Sequence, residues 1–316
     1  MTVKRIGCDR RHHSEMTDFE IQHPYRGAPF GASAALAAGV PPRRLRRRDL
    51  EVPFHAVRAE RGTLESLVAL CRAYAIRADA NEFFSHVTAA RLWRIPLPSC
   101  LELRRDIDVA VFVPGHPPQS RGVIGHRISR SVPLRVVSGV RVAPPVETWL
   151  QLGGVLELDD LIVAADALVR RKHPLATVAE LQAAVRKAYR RPGLRLLKRA
   201  LLEVRPGTDS PRETLTRLIV TRAGLPEPVV HFEVHNERGD FVGTPDLFYP
   251  QYRIALEYEG DGHRTDIQTF NDDIERAELF QEAGCRYVRI TRDHVDRPHR
   301  LVSRVRNVLI QRGWTP

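Results

Sequence analysis

The sequence predicts an α/β protein: a mixed-sheet domain in the last third of the chain, preceded by a mixed α+β region. Three observations carry this expectation. Beyond residue 205 the apolar pattern runs helix, three strands, helix, strand, helix, which is a mixed-sheet layout. Before it, short alternating runs (Ile107 to Val113, Gly122 to Ile128, Leu134 to Val142) sit between helical stretches. Within the last third, the segment from Gly243 to His263 reads as a β-hairpin.

The hairpin organises the site. Phe241 to Phe248 and Arg253 to Glu259 are rich in aromatic and branched residues, and Tyr249-Pro250-Gln251-Tyr252 supplies the turn. Pairing centred on that turn puts Asp246 opposite Glu257, with Cβ atoms roughly 4.5–5.5 Å apart. The two-residue period places Ala255, Glu257 and Glu259 on one face and Ile254, Leu256 and Tyr258 on the other. Three carboxylates are thus expected on one patch. Opposed like charges destabilise a sheet, and burial makes an unpaired carboxylate costlier. A divalent cation relieves both, and hard oxygen ligands describe a magnesium site. The alternative is an exposed edge hairpin whose acids face water or pair with Arg253 and Arg264.

Length and charge set the frame. The chain of 316 residues is long enough for two domains with cores of their own. A formal charge of +11 and a pI near 10.1, carried mostly by arginine, direct attention to an anionic partner. Arginine-rich genomic composition would give the same balance. Cys8, Cys71, Cys100 and Cys285 lie far apart, with no spacing that indicates zinc or a disulfide framework. No apolar run approaches the ~18 residues of a membrane span and no signal core opens the chain, so the expected location is cytoplasmic.

In chain order, residues 1–50 read as a basic, loosely ordered arm, densest at Pro41 to Arg48. Residues 51–204 form the α+β module. It starts with a helix of inward Leu64, Leu67, Val68, Cys71 and Tyr74, capped by Thr63. A second helical segment follows from Glu82 to Trp93. The short strands come next, then helices over Pro144 to Leu152, Asp159 to Arg170, Thr177 to Ala188 and Arg195 to Val204. His86 and His126 have no acidic neighbour in sequence and receive no role. Arg205 to Asp209 marks the boundary of the last domain, residues 205–316. There Ser210-Pro-Arg-Glu213 forms a capping box, Val229 to His235 is a strand, Phe270 to Ala283 a helix closed by Gly284, Cys285 to Thr291 a strand and Leu301 to Ile310 a basic helix.

Pro245-Asp246, about ten residues, then Glu257-Tyr258-Glu259 on a hairpin resembles the PD-(D/E)xK nuclease core. With Gly260-Asp-Gly-His263, Asp273-Ile-Glu-Arg276 and Gly284 to Thr291, the last third resembles more narrowly the DUF559 family, relatives of the very-short-patch-repair endonucleases. The order of Phe84 to Ala90, Gly125-His-Arg127, Pro144 to Leu150 and Leu158 to Leu168 is similar to AbiEi-type antitoxins, from which the front of the chain departs.

The nuclease resemblance implies Asp246 and Glu257 as ligands of Mg2+ (or Mn2+), with a water activated to attack phosphate. Glu259 stands where the wider superfamily often carries lysine, and some of its restriction enzymes carry Glu-x-Glu. His263 would serve as acid or phosphate ligand. Glu213 either only caps its helix or reaches the attacking water. Arg264, Arg276, Arg289 and Arg292 would contact phosphates. The expected function is a magnesium-dependent DNA endonuclease in defence, repair or toxin–antitoxin systems, with DNA and a cognate toxin or repair protein as partners. The alternative is a non-catalytic DNA-binding, antitoxin-like regulator on a nuclease scaffold.

Overall fold

The structure is a computed structural model that describes residues 25–259 and 267–316, with the side chains of 267–273 excepted. The chain forms two compact units that part between Asp79 and Ala80. Among the described residues the strands form four sheets, and no helix is long and apolar enough to cross a membrane.

The first unit contains β1 (Phe30–Gly31), α1 (Ala32–Ala37), β2 (Leu50–Glu51), β3 (Val57–Glu60) and α2 (Leu67–Ala75). Its three strands pair antiparallel in the order β1-β3-β2. Much of the expected arm is therefore built structure. Phe30, Ala35, Leu45 and Leu50 close a small core, and Arg44 folds inward to hold Asp49 at 2.6 Å. A handful of apolar residues suffices here because β3 and the paired arginine complete the layer, which composition alone does not reveal. The cap of α2 is Ser66, which accepts from the Ala69 amide at 3.1 Å; the expected cap, Thr63, instead donates to the Glu60 carbonyl.

In the second unit, β4 (Glu82–Phe84) precedes α3 (His86–Leu92) and α4 (Ser99–Glu102). The segment expected to be one helix from Glu82 thus begins as a strand. Phe83 and Phe84 are buried in the middle of a sheet, where an apolar run carries no periodic signal. β5 (Ile107–Phe112), β6 (Val123–Ile128), β7 (Arg135–Val137) and β8 (Val140–Val142) complete a mixed five-stranded sheet ordered β6-β5-β4-β8-β7. Helices α5 (Pro145–Leu152), α6 (Leu158–Leu168), α7 (Val178–Lys187) and α8 (Leu194–Glu203) bury Trp149, Leu161, Ile162, Leu168 and Leu181 in one core. Thr177 and Glu180 form a full capping box at α7.

The expected boundary near residue 205 lies inside this unit. Helix α9 (Pro211–Arg222) sends Leu218 into the helical core and Val220 toward the next sheet. Arg217 and Asp166 of α6, both fully buried, meet at 2.9 Å, and Thr214 donates to the same carboxylate at 3.0 Å.

Then come β9 (Val229–Val230), β10 (Val234–His235), β11 (Phe241–Gly243), β12 (Leu247–Tyr249), β13 (Ile254–Glu259), α10 (Ile267–Glu282), β14 (Arg286–Thr291), α11 (Arg292–Asp296) and α12 (Pro298–Gln311). The single strand expected over Val229 to His235 is broken at His231, whose φ of 45° turns the backbone left-handed. β10 and β11 pair apart from the main sheet, which runs β14-β13-β12-β9 with β13 and β14 parallel. The two-residue period holds. Leu247, Tyr249, Ile254, Leu256, Val288 and Ile290 pack with residues of α9 and α12, while Phe248 and Ala255 pack with Phe280 of α10. The sheet is covered on both faces, so the carboxylates of β13 do not sit on an open edge hairpin.

Candidate metal centre

The site is assembled by strand register. Leu247↔Leu256, Phe248↔Ala255 and Tyr249↔Ile254 pair across the hairpin, so Asp246, one residue ahead of β12, comes beside Glu257 as expected. On its other side Leu247 pairs with Val230. That register brings His231 alongside, and its amide donates to the Asp246 carbonyl at 3.1 Å. The Asp246 carboxylate is pinned in turn, with Oδ2 accepting from the Tyr258 amide at 2.7 Å.

Glu213 arrives from the first turn of α9. Its amide donates to Ser210 Oγ at 3.2 Å, and its Oε2 accepts from the Asp209 amide at 2.9 Å. The two readings of Glu213 are compatible. The carboxylate helps cap the helix and also lies 3.3 Å from His231 Nε2. Asp209 Oδ2 is 3.7 Å from the same nitrogen. Neither imidazole nitrogen makes a well-directed hydrogen bond among the described residues, so Glu213 meets the ring by proximity, as an ion pair when the ring is protonated. One ligand atom each from Glu213, His231 and Asp246 lies within 4.8 Å of the others.

The electrostatics are those of a crowded acidic pocket. Burial, then the charges of Glu257 and Glu213, push the Asp246 carboxyl up to about 7. Glu257 is raised by burial too, against the pull of Arg276. His231 is raised, chiefly by Glu213 and against its own burial. Glu257 Oε1 is held by Arg276 at 3.0 Å, while its Oε2 is buried with no hydrogen bond among the described residues.

The other expected site residues fall differently. Glu259 shares the face of Glu257 but is paired with Arg289 at 2.9 Å; the acids that crowd Asp246 are Glu257 and Glu213. Arg276 spans Glu257 and the Thr244 carbonyl, which it reaches at 2.8 Å. Arg292 meets Asp296 at 3.3 Å. His263 and Arg264 lie outside the described residues. His231 and Asp209 are the residues that sequence reasoning missed. His231 is placed by the pairing of Val230 with Leu247, which no local signal in the sequence gives.

No known family profile matches the chain, and no solved structure does. Two proteins of Mycobacterium tuberculosis, one from strain CDC 1551 / Oshkosh and one from strain H37Rv, are similar to it and are both described as uncharacterized. Each is 29% identical over 190 residues, covering 58% of this chain and 68% of the relative.

The residues present fit a divalent cation. Two carboxylates and an imidazole converge, with the orphaned Glu257 oxygen on the adjoining strand. Oxygen ligands suit Mg2+ and Mn2+ alike, whereas the imidazole moves the preference toward Mn2+.

Proposed function

We propose that the chain is a metal-dependent endonuclease that hydrolyses phosphodiester bonds in DNA, with its centre at Glu213, His231, Asp246 and Glu257. The observation that carries this reading is the convergence of Glu213, His231 and Asp246 beside Glu257 in a half-buried pocket, where burial and then the two neighbouring carboxylates push Asp246 up. A fold has no stability reason to gather such charges, and functional sites commonly do. The cation, when bound, would supply Lewis-acid neutralisation of phosphate charge and a lowered pKa for water.

The chain's own groups do the rest. The Tyr258 amide fixes which Asp246 oxygen faces the pocket. Asp209 and Ser210 lock the first turn of α9, so Glu213 projects without rearrangement. Arg276 sets the orientation of Glu257. The overall charge of +11 favours approach of a polyanion. The likeness to PD-(D/E)xK nucleases, and to AbiEi-type antitoxins earlier in the chain, belongs to this proposal.

One observation favours a second reading, a non-catalytic DNA-binding regulator. Arg276 and Arg289 are both paired with acids of β13, at Glu257 and Glu259, the second being the position where such nucleases often carry lysine. Cleavage of plasmid DNA with Mg2+ or Mn2+, comparing wild type with Asp246→Ala and Glu257→Ala, separates the two. Metal-dependent nicking lost in both variants supports the nuclease; DNA binding with no nicking under either metal supports the regulator.

A further inference from the structure

A second site lies far from the acidic pocket in sequence. A cavity of about 1240 Å3 opens between edge strand β6, the start of α3, helices α5 and α7, and the loop at residues 188–192. At His86 and His126 the two rings stack with centroids 3.7 Å apart. Buried Asp108 holds His126 Nε2 at 2.9 Å, and Ser85 Oγ holds His86 Nδ1 at 3.0 Å. His126 Nδ1 and His86 Nε2 are left outside those two bonds. Burial, then the neighbouring His126, lowers His86 to about 3, so its ring is a neutral donor or acceptor at pH 7.

The cavity lining is basic. Arg127, Arg130, Lys187 and Arg190 are exposed there. Arg191 holds Glu147 with one nitrogen at 2.7 Å, while its Nη1 is buried and makes no hydrogen bond among the described residues. An unmet buried donor is costly, and an anionic acceptor would satisfy it. Apolar surface from Val146, Leu150 and Val155 completes the wall. His86 and Arg190, both non-glycine, adopt φ of 46° and 49° at the cleft. At the mouth the Tyr189 ring is exposed, with the Arg190 guanidinium 5.3 Å from its centroid.

We propose that this cleft binds a phosphorylated small molecule of the nucleotide class, its phosphate on the basic rim and its planar part against the apolar wall. The cavity volume and that wall exceed what a bare phosphate would fill. The inference does not rest on the acidic site, and EDTA keeps the two apart in the test.

Isothermal titration in EDTA with adenosine diphosphate, adenosine and inorganic phosphate tests it. Adenosine diphosphate is expected to bind more tightly than either fragment. The double substitution Lys187→Glu, Arg190→Glu, at two exposed positions, should weaken it at least about tenfold. Lys198→Glu, Arg199→Glu, the same change of charge at two exposed positions away from the cleft, should leave affinity unchanged and controls for net charge. The imidazole resonances of His86 and His126 should shift with ligand. Four outcomes would overturn the proposal: no binding of adenosine diphosphate to wild type, equal affinity in the double variant, binding of adenosine or inorganic phosphate as tight as that of the nucleotide, or binding of a single-stranded oligonucleotide alone.

Discussion

Replacing Asp246 by asparagine removes one charge from the acidic pocket and keeps the shape of the side chain. The amide oxygen can still accept from the Tyr258 amide, so the hydrogen bond that fixes the residue survives. A carboxyl raised from its ordinary 3.8 to about 7 is destabilised as an anion by at most about 4 kcal/mol. The sign follows from proton binding. Between those two values the folded chain holds a proton that the unfolded chain has released, so stability falls as pH rises, and the cost is complete above about 7. In EDTA at pH 8, Asp246→Asn should therefore be more stable than wild type, by about 1–4 kcal/mol once relaxation of Glu257 is allowed for. The gain should shrink toward zero near pH 4. Saturating Mn2+ should stabilise wild type by about 2.7 kcal/mol at a hundredfold excess over Kd and leave the variant unmoved. Urea unfolding at pH 4, 6 and 8, with and without Mn2+, reads all of this. A variant less stable than wild type at pH 8 in EDTA, or a gain independent of pH, would refute the crowding of charge.

Three further outcomes are expected. His231→Asn should weaken Mn2+ binding at least about tenfold, measured by titration, with the fold intact by circular dichroism. Arg217→Met strands the buried Asp166 carboxylate, which burial already raises, and should cost about 3–5 kcal/mol in urea unfolding; adding Asp166→Leu should recover part of that. The contribution of His86 should be a loss of stability as pH falls from 6.5 toward 3, because the unfolded chain protonates a ring that the folded chain keeps neutral, and it is opposite in sign to the contribution of Asp246. His86→Gln should flatten that dependence by a few kcal/mol in acid unfolding curves.

What the sequence made legible follows periodicity and turn chemistry. The turn at Tyr249 to Tyr252 fixed the hairpin register, and with it the Asp246–Glu257 pairing and the separation of Ala255 from Ile254 and Leu256. Ser210-Pro-Arg-Glu213 announced its helix through capping chemistry, which is local. Long-range events were not legible. His231 sits beside Asp246 only because Val230 pairs with Leu247, a residue distant in sequence. Asp108 meets His126 because β5 and β6 pair in parallel, across a separation in which neither residue signals the other. Phe83 and Phe84, apolar on both sides, fit a helix or a central strand equally well until β5 and β8 are known to flank them. Arg44 reads as one of a basic run, and only its pairing with Asp49 shows why it turns inward.

The most direct test of the metal centre is a crystal soaked in Mn2+ and measured for anomalous scattering. A single strong peak is expected between the carboxylates of Glu213 and Asp246 and the imidazole of His231, and none in Asp246→Asn crystals. A wild-type crystal whose Mn2+ peaks all lie elsewhere, or which has none while the same protein nicks DNA in solution, would contradict the assignment of the site.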